Sequence, residues 1–150
     1  MQTRRVTLKQ GLVATTLGTG TVFSGAAQAF NKNAFEAKNV ADAVKALGGS
    51  SLAESKDVTI QGPDIAENGA VVPIGAATTI AGVKHLALLV EKNPNALVAV
   101  FDLNPAIESN ISTRAKMGQS SDVYAVAIAQ DGKAYFAKKE IKVTLGGCGG

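Results

Sequence analysis

From Asn33 to Leu47 the apolar positions Ala37, Val40, Ala41, Val44 and Leu47 recur at steps of three and four, the period of one helix face. Asn33 can cap this helix, with Glu36 three residues on as in a capping box. Gly48 and Gly49 end it, because glycine accepts the left-handed backbone of a helix terminus. After Ser55 the period changes to two. Val58 and Ile60 alternate with Asp57, Thr59 and Gln61, and Ile111, Thr113, Ala115 and Met117 alternate with Ser112, Arg114 and Lys116. Tyr124, Val126 and Ile128 alternate with alanines, and Ile141, Val143 and Leu145 alternate with Lys142 and Thr144. Leu86–Val90 and Leu97–Leu103 are apolar on both faces and read as central strands.

Turn signals separate these runs: Asn68-Gly69, Asn93-Pro94-Asn95, Asn104-Pro105, Gly118-Gln119-Ser120-Ser121 and Asp131-Gly132. Short strands at this spacing predict a mainly β fold. It is an immunoglobulin-like antiparallel β-sandwich of about seven strands, with a short N-terminal helix packed on or beside it. The 150 residues suit one domain with a real core, and no internal repeat is present. There is no tryptophan and one cysteine, so the Cys…Trp…Cys core of antibody-type domains is missing.

Charge changes the picture at the N-terminus. The net charge is +3, but Arg4, Arg5 and Lys9 lie before any acid, and without them 12 bases face 12 acids. The high pI therefore carries no sign of nucleic-acid binding, and no basic patch interleaved with aromatics occurs. The basic stretch is followed by a weakly apolar run from Gly11 to Gly25, then by Ala27-Gln28-Ala29, a small-x-small cleavage signal. The run is too short and polar for a transmembrane helix, so no membrane anchoring is expected. "TRRVTLK" resembles the twin-arginine export signal, with Thr7 where phenylalanine is usual. The expected division is a signal peptide over 1–29, a β-sandwich with its helix over 30–145, and an arm over 146–150. The mature protein would begin at Phe30 and work in a bacterial periplasm.

Candidate chemistry is sparse. His85 is the one histidine and flanks an apolar strand, so it makes no metal site alone and reads as structural or surface. Asp64, Glu67 and Asp102 are scattered acids. The loop "PDIAENG", Pro63 to Gly69, reads as a strand connection. There is no phosphate loop, no G-x-S-x-G and no C-x-x-C, so no self-contained catalytic constellation and no metal site is expected.

The tail differs. Cys148 lies beyond the last strand with Gly146, Gly147, Gly149 and Gly150 around it. One cysteine closes no internal disulfide. A thiolate can carry sulfur as a persulfide or thiosulfonate. Glycines make its segment thin and free in its dihedrals, and five residues extend to about 17 Å at roughly 3.3 Å each. No base sits near the thiol to favour the thiolate, so partner enzymes would have to activate it. These features describe a carrier better than an enzyme.

The twin-arginine signal, the small sandwich and the terminal Gly-Gly-Cys-Gly-Gly together resemble the SoxY family of sulfur carriers in periplasmic thiosulfate oxidation. The interior "PDIAENGAVVPIG", Pro63 to Gly75, also resembles that family. The resemblance implies Cys148 as the covalent attachment site, with Gly146, Gly147, Gly149 and Gly150 as a swinging arm. It implies a heterodimer with SoxZ and transient contacts with the haem cytochrome SoxXA, the dimanganese hydrolase SoxB and, in some organisms, Sox(CD)₂. It implies no cofactor beyond the sulfur bound on Cys148. Two other readings stay open: a C-terminal thiocarboxylate carrier ending in Gly149-Gly150, and a non-catalytic immunoglobulin-like assembly module with a disulfide tether at Cys148.

Overall fold

The computed structural model of the chain describes residues 31–146. Two short helices stand where the periodicity predicts one. α1 spans Lys32–Glu36 and α2 spans Val40–Ala46. Asn33 is not a cap but lies inside α1, whose cap is Asn31, with its Oδ1 accepting from the Ala34 amide at 3.1 Å. The break has a physical cause at Asn39. Its backbone is extended, its Oδ1 accepts from the Asp42 amide at 2.8 Å, and its Nδ2 donates to Asp42 Oδ2 at 2.7 Å. A side chain that satisfies the next helix's free amide starts a new helix there. The end of α2 is as expected. Gly48 takes a φ of +91°, and the Gly49 amide donates to the Val44 carbonyl at 2.9 Å.

The strands are β1 (Ser51–Glu54), β2 (Val58–Gln61), β3 (Ile65–Ala66), β4 (Val72–Thr78), β5 (Val83–Val90), β6 (Leu97–Asp102), β7 (Asn110–Ala115), β8 (Ser121–Ala129) and β9 (Lys133–Val143). They form a larger sheet in the order β1-β9-β8-β5-β6, with β3 also on β9, and a smaller sheet in the order β2-β4-β7. The expected mainly β sandwich is present. Its strand count among the described residues is nine, because β1 and β3 add short parallel pairings to β9. β1 is exposed at all four of its positions and β3 has only two residues, so neither displays a period. All other pairings are antiparallel.

The larger sheet is covered on both faces. Leu86, Leu88, Val90, Val123, Ala125 and Ile141 face the smaller sheet's Val58, Val72 and Ile74. Ala87, Leu89, Val126, Ile128 and Ala134 face Ala34, Val40, Ala43, Val44 and Leu47 of the helical segment. Double coverage explains why residues 86–90 of β5 and 125–129 of β8 carry no polar position. β6 differs from its expectation: it is an edge strand, not a central one. It is apolar on both faces because Val98 packs into the first core while Leu97 and Val100 pack into the second. Among the described residues no helix is long and apolar enough to cross a membrane.

Candidate functional site near the C-terminal cysteine

β9 delivers the chain to its tail. The signal elements Arg4, Arg5, Ala27 and Ala29 lie outside the described residues, as do Gly147, Cys148, Gly149 and Gly150. Gly146 lies within them, together with the neighbours described below. β3 first runs beside the end of β9, with Ile65 opposite Lys142 and Ala66 opposite Val143. The Lys142 amide donates to the Asp64 carbonyl at 3.0 Å, and the Thr144 amide donates to the Ala66 carbonyl at 3.1 Å. The Thr144 hydroxyl adds a bond to the Glu67 carbonyl at 3.2 Å.

The Asn68-Gly69 turn then closes over the chain. The Asn68 Oδ1 accepts from the Ala70 amide at 2.9 Å, which holds the turn. The Gly69 amide donates to the Leu145 carbonyl at 2.7 Å, while the Gly69 carbonyl accepts from the Met117 amide at 2.7 Å. On the opposite side, Ser120 Oγ accepts from the Val143 amide at 2.8 Å. A Cβ built on Gly146 would stand 2.6 Å from the Gly118 carbonyl oxygen. Residues 66–69 and 117–120 thus form a collar around residues 143–146.

One ion pair braces the collar. Lys139 Nζ lies 2.8 Å from Asp64 Oδ1 and donates to the Gly62 carbonyl at 2.7 Å. The Lys139 ammonium, by hydrogen bond and by charge, holds the Asp64 carboxyl below the ordinary aspartate value. Met117 is fully buried beneath the collar, whereas Ile65, Val71 and Leu145 on the segments that meet there are exposed.

The structure separates the other sequence candidates. His85 pairs with Asp102 across β5 and β6, Nδ1 to Oδ1 at 2.6 Å. His85 stands opposite Ile128 on β8, and the end of β9 stands opposite Ser121 on the same strand. Seven residues of strand at roughly 3.3 Å each put the His85 row about 23 Å from the row where the tail departs. Cys148 lies two residues beyond Gly146, which is at most about 7 Å of chain. His85 therefore cannot serve the thiol. Among the described residues no group of three or more His, Cys, Asp or Glu side chains is placed to hold a metal ion.

Sequence reasoning missed the collar residues Gly69, Gly118, Ser120 and Thr144. "PDIAENG" does lie between β2 and β4, as a strand connection should, but it holds the short strand β3 itself and also carries the collar. The available signal was the Asn-Gly turn and the glycine of "MGQSS", but these mark turns without saying what they close on.

The described residues define a mainly β, two-sheet sandwich domain whose last strand passes through a backbone collar shortly before the glycine-flanked cysteine of the sequence. The family model described as sulfur oxidation protein SoxY matches residues 43–148. Among solved structures, the sulfur carrier protein SoxY from Chlorobium limicola f thiosulfatophilum is 38% identical with a TM-score of 0.63, over 70% of this chain and 96% of that one. The chain belongs to the SoxY family. A superoxide reductase (neelaredoxin) from Ignicoccus hospitalis is 16% identical with a TM-score of 0.51, over 57% of this chain and 79% of that one, a likeness of fold alone. No curated protein matches the chain.

Proposed function

We propose that this protein is the sulfur carrier of Sox thiosulfate oxidation and holds its cargo on Cys148. The observation that carries the reading is the family match, which runs to residue 148, the position of the chain's one cysteine. The collar supports it, because backbone bonds fix the point from which the cysteine is presented.

The chemistry needs one sulfur nucleophile. A Cys148 thiolate and thiosulfate join through a new sulfur–sulfur bond, giving Cys-S-S-sulfonate and releasing two electrons to a haem cytochrome of the SoxXA type. Water then attacks the sulfonate sulfur in a hydrolase of the SoxB type. Sulfate and two protons leave, and a persulfide anion stays on Cys148. An oxidising partner of the Sox(CD)₂ type takes that sulfur further where it is present. This chain binds, presents and retains the sulfur, and its partners supply oxidant, metal and water activation. It carries no cofactor beyond the bound sulfur and has no autonomous catalysis.

Membership of the family implies partnership with SoxZ in the Sox system. The reading extends to a periplasmic location. Arg4 and Arg5 direct twin-arginine export, cleavage follows Ala27-Gln28-Ala29, residues 30–145 form the working body and 146–150 the arm.

Intact mass of the mature protein from cells grown on thiosulfate tests this, with and without reductant and against Cys148→Ser. Reductant-labile adducts of sulfur or thiosulfonate on Cys148 are expected. A free thiol under turnover, or disulfide-linked dimers without adducts, would instead make the chain an assembly module.

A further inference from the structure

We propose that Gly146 belongs to the body and not to the arm, and that the collar acts as a positioning device that moves the arm's pivot to Gly147. The geometry stands on its own, and its meaning for catalysis rests on the carrier reading above. Three observations converge. The carbonyl one residue before Gly146 is bound by the Gly69 amide at 2.7 Å. Thr144 is bound twice, through its amide to Ala66 and through its hydroxyl to Glu67. Gly146 itself lies so close to the Gly118 carbonyl that a Cβ would fall at 2.6 Å, inside the limit for any real carbon contact. A glycine here answers a demand of packing. The glycines around Cys148 look alike in sequence, but this one is required by a backbone neighbour.

The consequence is a shorter tether. With Gly146 fixed, the Cys148 Cα stays within about 7 Å of a point held by the body, against the roughly 10 Å from Leu145 that a free Gly146 would allow. A partner's reacting centre then has to come to the collar, because the thiol cannot travel far from it. The collar sets where and in which direction the cargo leaves the body. Gly69, Gly118 and Thr144 are positioning residues that act through the backbone.

The test uses the mature protein with a nitroxide attached to Cys148, its own thiol, and reads melting temperature and electron paramagnetic resonance line shape together. Gly146→Ala is expected to lower the melting temperature and make the label more mobile, since the collar must open to admit the methyl group. Gly147→Ala is expected to leave the melting temperature unchanged and make the label less mobile, since it stiffens the pivot itself. Thr144→Val, which deletes one hydroxyl bond and adds no clash, gives a milder mobility gain if Gly146→Ala fails to fold. Gly146→Ala with unchanged melting and line shape would return Gly146 to the arm. Equal loss of melting temperature in Gly147→Ala would also overturn the proposal. Absence of sulfur adducts on the unlabelled protein would remove the carrier reading and leave this result untouched.

Discussion

The Gly69 amide donates to the Leu145 carbonyl at 2.7 Å, and through the Gly69 carbonyl the same residue accepts from Met117. Gly69 is buried, so these bonds are shielded from water. Chains truncated on either side of Leu145 separate body from tail. Ending the chain after Gly147 leaves every described collar bond in place and is expected to leave the melting temperature unchanged. Ending it after Thr144 removes the Leu145 acceptor and strands a buried donor. A buried unsatisfied donor costs about 1–3 kcal/mol, and each kcal/mol shifts the melting temperature by about 3–6 °C in a domain of this size. Calorimetry on the two truncations checks this. Equal melting temperatures would mean that the Gly69–Leu145 bond carries no stability.

The helical segment offers a sharper contrast. Asn39 exchanges hydrogen bonds with Asp42 at the start of α2, while Asn33 is exposed within α1. Asn39→Ala is expected to destabilise the protein by about 1 kcal/mol, the usual loss for an N-cap. Asn33→Ala is expected to be neutral or slightly stabilising, since alanine is the better helix former. Urea unfolding of both variants decides it, and a larger loss at Asn33 would restore the single helix that the periodicity suggests.

That contrast shows what one sequence can and cannot tell. The period-two runs mark β2, β7 and β8, and the continuous apolar run marks β5, because side chains of those strands face one or two buried layers along their length. β4 is harder to read. Pro73 and Gly75 weaken its pattern, yet Pro73 lies where β2 has already ended and only β7 runs beside the strand. Most of β9 escapes the pattern because Lys138, Glu140 and Lys142 take exposed positions on a strand whose alternation is plain only from Ile141. The cysteine is legible because its chemistry is local. The collar is not, since most of its bonds join main-chain atoms of three distant segments, and backbone bonds leave almost no signature in side-chain identity.

Acid should reach the collar through Asp64. The Lys139 ammonium keeps its folded pKa below the ordinary value, so the pair's contribution is present above the ordinary aspartate pKa of about 4 and is lost as pH falls through the lowered one. The Asp64 carboxylate is largely exposed, so the effect is small and screened by salt. Asp64→Asn is expected to lower the urea midpoint slightly at neutral pH, with the gap to the parent closing in strong acid and narrowing at high salt. A gap that is constant from neutral pH into strong acid would show that the Lys139 bond to the Gly62 carbonyl holds this corner without the carboxylate.

The His85–Asp102 pair gives the last contrast, because a histidine bonded to an aspartate is the arrangement that elsewhere activates a nucleophile. Here the bond at 2.6 Å is well made, but its location excludes that role. The pair lies at the opposite end of the larger sheet from the departing tail, about 23 Å away along β8, and the thiol has at most about 7 Å of chain beyond Gly146. His85→Ala and Asp102→Asn are therefore expected to leave the rate of Cys148 alkylation, and its dependence on pH, equal to those of the parent protein. Iodoacetamide kinetics between neutral and alkaline pH measure this directly. A shifted alkylation profile in either variant would mean that the tail folds back across the sheet, which the collar's hold on Leu145 and Gly146 argues against. The pair's own effect belongs to stability: His85 is mostly buried and Asp102 is exposed, so Asp102→Asn is expected to change the melting temperature less than His85→Ala does.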